Sequence, residues 1–162
     1  MAMAPPNPAG EMNRLLGVVE GRWDLAVTYA PSPFLPDGGE ARGNERTYSG
    51  PGGYSAVIDA VATGPGAFEF KGIGAIVWDS TEVKYKLYWF SSISPTASLF
   101  DGEWEGEDLT FVGRENILGQ TLSSRHRLSN IEPDAFDYAI DLGPSPDRLE
   151  RAITIRYTRA SQ

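Results

Sequence analysis

The hairpin over residues 68–89 constrains the fold most, because both of its arms keep one alternation of apolar and charged side chains. Successive side chains on a β-strand point to opposite faces, so this alternation separates a dry face from a wet one. Pairing Trp78 with Val83 across the turn at 79–82 puts the alternating apolar side chains of both arms on the same face. The same pairing sets Ile76 opposite Tyr85, Gly74 opposite Leu87 and Gly72 opposite Trp89. We therefore expect two glycines to make room for large inward side chains.

Similar alternating segments run from Trp23 to Tyr157 and correspond to roughly ten strands joined by short connections. One helical segment precedes them, because the apolar residues within 11–20 recur at helical spacing and Gly21 ends the run. Without a second helix there is no βαβ crossover, so the sheet must be an antiparallel meander, and closing it removes its exposed edges. The prediction is an all-β fold, a roughly ten-stranded antiparallel up-and-down barrel with a short N-terminal helix.

The length of 162 residues suits a single domain with a core of its own. The Pro- and Ala-rich start predicts a flexible segment over residues 1–10, followed by one β-barrel domain over residues 11–162. Residues 30–41 contain three prolines and two glycines, which indicates a loop. Because this loop is longer than most hairpin connections, it is a candidate lid.

The charge balance and the lack of cysteine narrow the classes of function. The net charge is −8, from 22 acidic against 14 basic residues, so neither nucleic acid nor an anionic membrane surface is an expected partner. The absence of cysteine excludes disulfides, thiolate catalysis and cysteine metal sites. No apolar run approaches the roughly 20 residues that cross a bilayer, and residues 1–10 do not read as a secretory signal. We therefore expect a cytoplasmic protein.

Gly21-Arg22-Trp23, placed after the predicted helix and at the start of the first strand, resembles the signature of the lipocalin/calycin superfamily. In that superfamily the tryptophan closes one end of the barrel, and an arginine of the last strand packs across it. The resemblance implies these structural roles for Trp23 and for Arg159, at the end of the last predicted strand. Antiparallel pairing of the first and last strands would bring the two side chains together in a cation–π contact.

A second resemblance runs over most of the chain. The sequence is similar to an uncharacterised bacterial domain family with a calycin-like barrel, whose members often carry a short feG-gi-gyD run and end in Tyr-x-Arg. The matching motifs are Phe70-Lys71-Gly72-Ile73-Gly74, Trp78-Asp79, Trp89, Ser129-Asn130-Ile131, Asp134-Ala135-Phe136 and Tyr157-Thr158-Arg159. The likeness implies the same fold and carries no activity, because that family has no agreed one.

The dry face of a closed barrel becomes a pocket, and ten strands leave more room inside than eight do. The inward alternation predicts aromatic walls at Tyr85, Trp89 and Trp104. Pockets with such walls bind small molecules through apolar contact and a few polar groups. We therefore predict that the protein binds a small, mostly apolar ligand inside the barrel, without a metal or cofactor.

His126 is the only histidine and shares the inward parity of Leu128. A Leu128–Phe136 pairing places it opposite Tyr138, so these two side chains are the predicted polar anchor of the ligand. A second interpretation is a buried imidazole that is hydrogen-bonded to the Tyr138 hydroxyl and contacts no ligand. Ser124 lies on the same face, but no inward acid is apparent that would complete a nucleophilic triad.

A third interpretation of His126 is an axial haem ligand, since nitrobindin-type barrels bind haem through an axial histidine. We expect His126 to be an anchor and not a haem ligand. Trp89, Trp104 and Tyr138 are expected around this position, and such bulky side chains leave no slot for a porphyrin.

Two other functions stay open. One is an isomerase or cyclase that holds a hydrophobic substrate, with His126 as the general base. The other is a barrel that is filled by its own side chains and acts through its surface as a homodimer. Tyr88 and Phe90, on the outer face of the predicted hairpin, would then be interface residues.

Overall fold

The computed structural model describes residues 10–33 and 35–161, apart from the side chain of Ala67. The predicted flexible segment at 1–10 lies outside the described residues except for Gly10, which is the first residue of the helix. Among the described residues, no helix has the length and apolar character needed to span a membrane.

The described residues form a closed antiparallel barrel of ten strands, preceded by one short α-helix. Helix α1 spans Gly10–Val19, and the strands are β1 (Gly21–Tyr29), β2 (Gly39–Ser49), β3 (Ser55–Thr63), β4 (Glu69–Asp79), β5 (Lys84–Ser91), β6 (Ser98–Glu105), β7 (Asp108–Ile117), β8 (Gln120–Glu132), β9 (Ala135–Gly143) and β10 (Glu150–Arg159). Each strand pairs with its neighbours in sequence, and β1 pairs with β10 to close the barrel. The predicted all-β up-and-down barrel is confirmed.

Inward-facing residues of β3 and of the helix show how the interior is built. The alternation of β3 is ambiguous in the sequence, and the structure buries Ala56, Ala60 and Ala62. These small side chains leave space inside this part of the barrel. Met12 and Leu15 of α1 are buried, and the helix packs against β2, β3 and β4. The apolar stripe of α1 therefore covers one end of the barrel.

The hairpin of β4 and β5 has the predicted inner face but a different register. Trp78 pairs with Tyr85, so the register lies two residues away from the predicted Trp78–Val83 pairing. A shift of two residues keeps every side chain on its face, whereas a shift of one would invert the hairpin. Leu87 is therefore still buried in the core, and Lys86 lies outside with Asp101, at 2.6 Å.

The turn between these strands explains the register. The Asp79 carboxylate accepts hydrogen bonds from the backbone N–H groups of Thr81 at 2.9 Å and Glu82 at 3.0 Å. Val83 has a φ of 56° and is 70% exposed, so it belongs to the turn and not to the inner face. The side chain of Asp79 thus stabilises a turn over 80–83, which lies one residue further along the chain than the predicted turn at 79–82.

The hairpin of β8 and β9 also differs from the predicted register by two residues. Leu128 pairs with Tyr138 and not with Phe136. The cause is an irregularity in the pairing between 129 and 132, where Asn130 has a φ of 48°. Because the shift is again even, the inward parity of both strands is kept.

The contact between Trp23 and Arg159 closes the helix end of the barrel, as predicted. The two residues are paired across β1 and β10, and the Arg159 guanidinium lies 4.3 Å from the Trp23 ring centre. The Trp23 side chain is 1% exposed, and its indole N–H donates to the Val19 carbonyl at 2.9 Å. Arg159 also donates to the carbonyl oxygens of Glu20 and Pro133, at 3.1 and 3.0 Å. One guanidinium therefore joins the helix end, the first strand and the β8–β9 turn.

Candidate functional site

A cavity of about 820 Å³ occupies the interior of the barrel. Every strand contributes to its lining, and the lining side chains are mostly apolar, among them Leu25, Val27, Ile76, Leu87, Leu128 and Ile155. The lining continues into the loops at the end of the barrel away from α1, through Pro31, Leu35, Pro65, Ile93 and Leu118. The helix end is thus closed by side chains, and the opposite end is the mouth of the cavity.

The loop after β1 lies at this mouth. Its residues Ala30–Pro33 and Leu35 line the cavity, and backbone hydrogen bonds join Ser32 and Leu35 in both directions, at 2.9 and 3.1 Å. The loop therefore has the position that the predicted lid requires, and its opening and closing stay a prediction.

Trp89 forms part of the wall and lies across two glycines of the neighbouring strand. A Cβ atom at Gly72 would come within 2.1 Å of the indole ring, and one at Gly74 within 2.6 Å. Only glycine at both positions lets the indole lie flat against the strand. Both predicted pairings are wrong, because Gly72 pairs with Ser91 and Gly74 with Trp89, but the two glycines do make room for a large inward side chain.

Tyr85 and Trp104, which the sequence predicts as pocket walls, do not line the cavity. The Tyr85 hydroxyl donates to the Glu11 carbonyl at 2.5 Å and accepts from the Trp104 indole N–H at 3.1 Å. The Arg14 guanidinium stacks on Trp104 at 3.8 Å. Both aromatic side chains point inward as predicted, but they lie at the helix end, where they attach α1 to the barrel. The packed helix therefore explains this correction.

His126 lies in the cavity wall and uses both of its ring nitrogens. Nδ1 lies 2.6 Å from the Tyr138 hydroxyl, and Nε2 lies 2.9 Å from a carboxylate oxygen of Glu115. Ser124 donates to that same oxygen at 2.5 Å. Glu115 and Tyr138 come from the two neighbouring strands, since β8 lies between β7 and β9, and Ser124 lies on β8 itself. The predicted contact between His126 and Tyr138 is present, and Glu115 extends it.

The carboxylate of Glu115 determines which groups donate and which accept in the hydrogen bonds of His126. Burial raises the pKa of Glu115, but the charge of His126 and the hydrogen bonds from His126 and Ser124 outweigh burial and hold that pKa below its ordinary value. A carboxylate only accepts hydrogen bonds, so Nε2 of His126 is the donor. In the neutral imidazole, Nδ1 then accepts the hydrogen of the Tyr138 hydroxyl. Burial, followed by the charges of Glu115 and Glu45, raises the pKa of Tyr138 well above its ordinary value and keeps the phenol neutral.

The expectation that no acid points inward beside His126 is wrong, because Glu115 lies there. The arrangement is still not that of a nucleophilic triad. A serine nucleophile must donate to the histidine, whereas Ser124 donates to Glu115. The carboxylate therefore separates the hydroxyl from the imidazole.

A second buried acid, Glu45, faces the cavity from β2. Its two carboxyl oxygens accept from the Thr47 hydroxyl at 3.1 Å and from the Tyr157 hydroxyl at 2.9 Å. Burial raises the pKa of Glu45 to about 7, against the lowering effect of these two hydrogen bonds. Glu45 therefore holds its proton to a higher pH than an exposed glutamate does.

Both buried acids were missed in the sequence, although the parity of their strands could have shown them. Glu115 continues the inward alternation of β7 through Phe111 and Gly113, beyond the point where the apolar pattern ends. Glu45 and Thr47 have the same inward parity on β2. An alternation traced through small and polar residues would have placed both acids inside.

The hydrogen bonds of His126 do not fit the role of an axial haem ligand. An axial ligand needs a free imidazole nitrogen that faces the cavity. Here Tyr138 occupies one nitrogen and Glu115 the other. The predicted steric reason was partly wrong, because Trp104 is not in the cavity. Within residues 10–33 and 35–161, no cluster of three or more His, Asp or Glu side chains could hold a metal ion.

Four apolar side chains are exposed next to one another on the outer face of β4, β5 and β6. Ile73 pairs with Phe90, and Tyr88 pairs with Leu99. Each of the four is roughly half exposed. We call them the β4–β6 apolar patch, and it contains both predicted interface residues, Tyr88 and Phe90.

Comparison with known proteins supports the fold and assigns no family. No protein-family model matches this chain, and no curated protein matches it. The chain is similar to the crystal structure of Rv2717c from M. tuberculosis, with a TM-score of 0.66 and 11% sequence identity, covering 96% of this chain and 100% of that one. It is also similar to EF1p2_mFAP2b, solved bound to DFHBI, with a TM-score of 0.52 and 14% identity, covering 92% of this chain and 99% of that one. These likenesses support the closed antiparallel barrel fold, and neither resemblance noted in the sequence is confirmed as a family.

Proposed function

We propose that this protein binds a small, mostly apolar molecule inside the barrel and admits it through the end away from α1. Trp89 supplies an aromatic wall, and His126 and Tyr138 are the polar anchor. The observation that carries the proposal is the interior cavity of about 820 Å³ with a mostly apolar lining. Cavities of roughly 300–1,000 Å³ with few polar groups are typical small-molecule sites.

The lining explains why an apolar molecule is favoured. Moving apolar surface out of water releases about 25 cal/mol for each Å² buried, and this cavity offers apolar contact on most sides. The polar atoms are confined to a few positions, so they orient the molecule and reject others. EF1p2_mFAP2b, a structural relative of the same fold, is bound to DFHBI in its structure, which supports a small molecule as the kind of ligand.

Titration with the neutral dye N-phenyl-1-naphthylamine tests the proposal, because this dye fluoresces in apolar surroundings. Ala62→Phe places a ring in the cavity, since Ala62 is buried and lines it. Ala139→Phe makes the same change on the outer face of β9, away from the β4–β6 apolar patch. We expect saturable binding that Ala62→Phe weakens at least about tenfold and that Ala139→Phe leaves unchanged.

Two outcomes of the titration would contradict the proposal. If dye binding is absent, or if it survives Ala62→Phe in a folded protein, the cavity is not the binding site. Circular dichroism and a thermal melt of both variants show whether each is folded.

The two alternative functions, an isomerase or cyclase and a homodimer, differ in their structural support. An isomerase or cyclase with His126 as general base needs a free lone pair on the imidazole, and Tyr138 occupies it in the resting structure. No observation favours that function. The β4–β6 apolar patch favours the homodimer as a second candidate. Sedimentation velocity should then show a dimer that Phe90→Glu dissociates and that Val83→Glu, at an exposed turn away from the patch, does not.

A further inference from the structure

Acidic side chains outnumber lysine and arginine among the described residues that line the cavity. Glu45 and Glu115 lie in its interior, and Glu150 lies at its mouth. Among the described lining residues, Arg151 is the single lysine or arginine. It also lies at the mouth, and its guanidinium is held by Asp141 at 2.5 Å. Apart from the imidazole of His126, which is paired with Glu115, the interior therefore offers carboxyl groups to a ligand and no lysine or arginine among the described residues.

The two interior acids differ in their partners. Glu115 is paired with His126, whose imidazole can carry a positive charge. Within the part of the chain that the structure describes, the side-chain partners of Glu45 are the neutral hydroxyl groups of Thr47 and Tyr157. A buried carboxylate without a counter-charge is unfavourable, because burial removes its hydration and nothing replaces the lost stabilisation. Glu45 is thus the position in the cavity where a positive charge would be most stabilising.

We propose that the natural ligand carries a cationic nitrogen, such as an amine or amidine, on an apolar body, and that Glu45 binds this nitrogen. The inference rests on the proposed function, since it specifies the ligand of the same cavity. It also disfavours carboxylate lipids, whose head group would meet two interior acids and no lysine or arginine among the described residues.

Two further features agree with a cationic ligand. A cation beside Glu45 favours its carboxylate form, and the raised pKa of about 7 means that the ligand would displace a proton near neutral pH. The net charge of −8 attracts cations to the molecule from solution. The mouth acid Glu150 lies on the path of entry.

A competition experiment at about pH 8 separates the charge classes. Decylamine, decanol and decanoate share one apolar chain and differ in their head group, and each displaces N-phenyl-1-naphthylamine if it enters the cavity. We expect decylamine to compete at a concentration at least about tenfold lower than decanoate. Glu45→Gln keeps the shape of the side chain and one acceptor oxygen while removing its charge. In this variant the concentration of decylamine that displaces half of the dye should rise about tenfold. The corresponding concentration of decanol should change by less than about twofold.

The matched control is Glu40→Gln, an exposed glutamate on the same strand. It changes the net charge by the same amount as Glu45→Gln, so it should leave the preference for the amine intact. Equal or tighter binding of decanoate would overturn the inference, as would an amine preference that Glu45→Gln does not reduce. If decanol competes and the amine has no advantage, only this inference fails. If neither the dye nor decanol binds, the proposed function fails with it.

Discussion

Single buried side chains decide the chemistry of this barrel. Glu45 and Glu115 are both glutamates on inward positions of the sheet, yet their pKa values shift in opposite directions. The difference comes from their partners, because Glu115 is paired with an imidazole that can carry positive charge, whereas among the described residues only hydroxyl groups reach Glu45. Burial alone would have raised both pKa values.

The raised pKa of Glu45 predicts a pH dependence of stability. The folded protein holds this proton with a pKa of about 7 against an ordinary value of 4.5, so the contribution is present below about pH 4.5 and is lost as pH rises through about 7. Tyr138 and Tyr157 have raised pKa values and stay neutral over this range. Between about pH 5 and pH 8, the free energy of unfolding should fall by about 2–3 kcal/mol more in the wild type than in Glu45→Gln. Urea unfolding of both proteins measures this difference, and parallel pH profiles would contradict it.

The engaged nitrogens of His126 predict that haem is not bound through this residue. Addition of hemin to the purified protein should give no sharp Soret band, because Tyr138 and Glu115 already hold both ring nitrogens. Absorption spectra of the wild type and of His126→Ala check this. A sharp band in the wild type that is lost in His126→Ala would show that the imidazole releases a partner and coordinates iron.

At the scale of elements, the alternation of side chains predicted the barrel but not the register of its hairpins. Parity is a property of each strand, so the inner faces of β4 and β5 were predictable. Register depends on the turn, and neither the capping of its backbone by Asp79 nor the irregular pairing near Asn130 is visible in a period of two. The position of Tyr85 and Trp104 under the helix was also hidden, because it depends on where α1 packs. Glu45 and Glu115 keep the inward parity of their strands and were predictable. They were missed because the apolar residues of the alternation end before them.

The closure of the helix end predicts a large effect of one substitution. Trp23→Ala should lower the free energy of unfolding by about 3–5 kcal/mol, since it removes a buried aromatic ring and the surface on which Arg159 stacks. Phe90→Ala is a control, because it removes a ring that is 54% exposed on the outer face. Its effect should stay below about 1 kcal/mol. A denaturation curve unchanged by Trp23→Ala would show that this contact does not close the barrel.

At the scale of the whole molecule, the barrel has one end closed by α1 and a mouth formed by loops. The closed end contains the aromatic contacts that hold the helix, and the space lies between this end and the mouth. The outer surface carries the β4–β6 apolar patch, which is a second place where an apolar dye could bind. Fluorescence of the wild type alone does not separate these two places, whereas the position of the bound molecule shows directly which one is occupied.

A crystal structure of the complex with N-phenyl-1-naphthylamine therefore tests the central claim most directly. We expect the dye inside the barrel, in contact with Trp89 and close to the pair of His126 and Tyr138, at one molecule per chain. Dye that occupies only the β4–β6 apolar patch, with the interior unchanged, would contradict the claim.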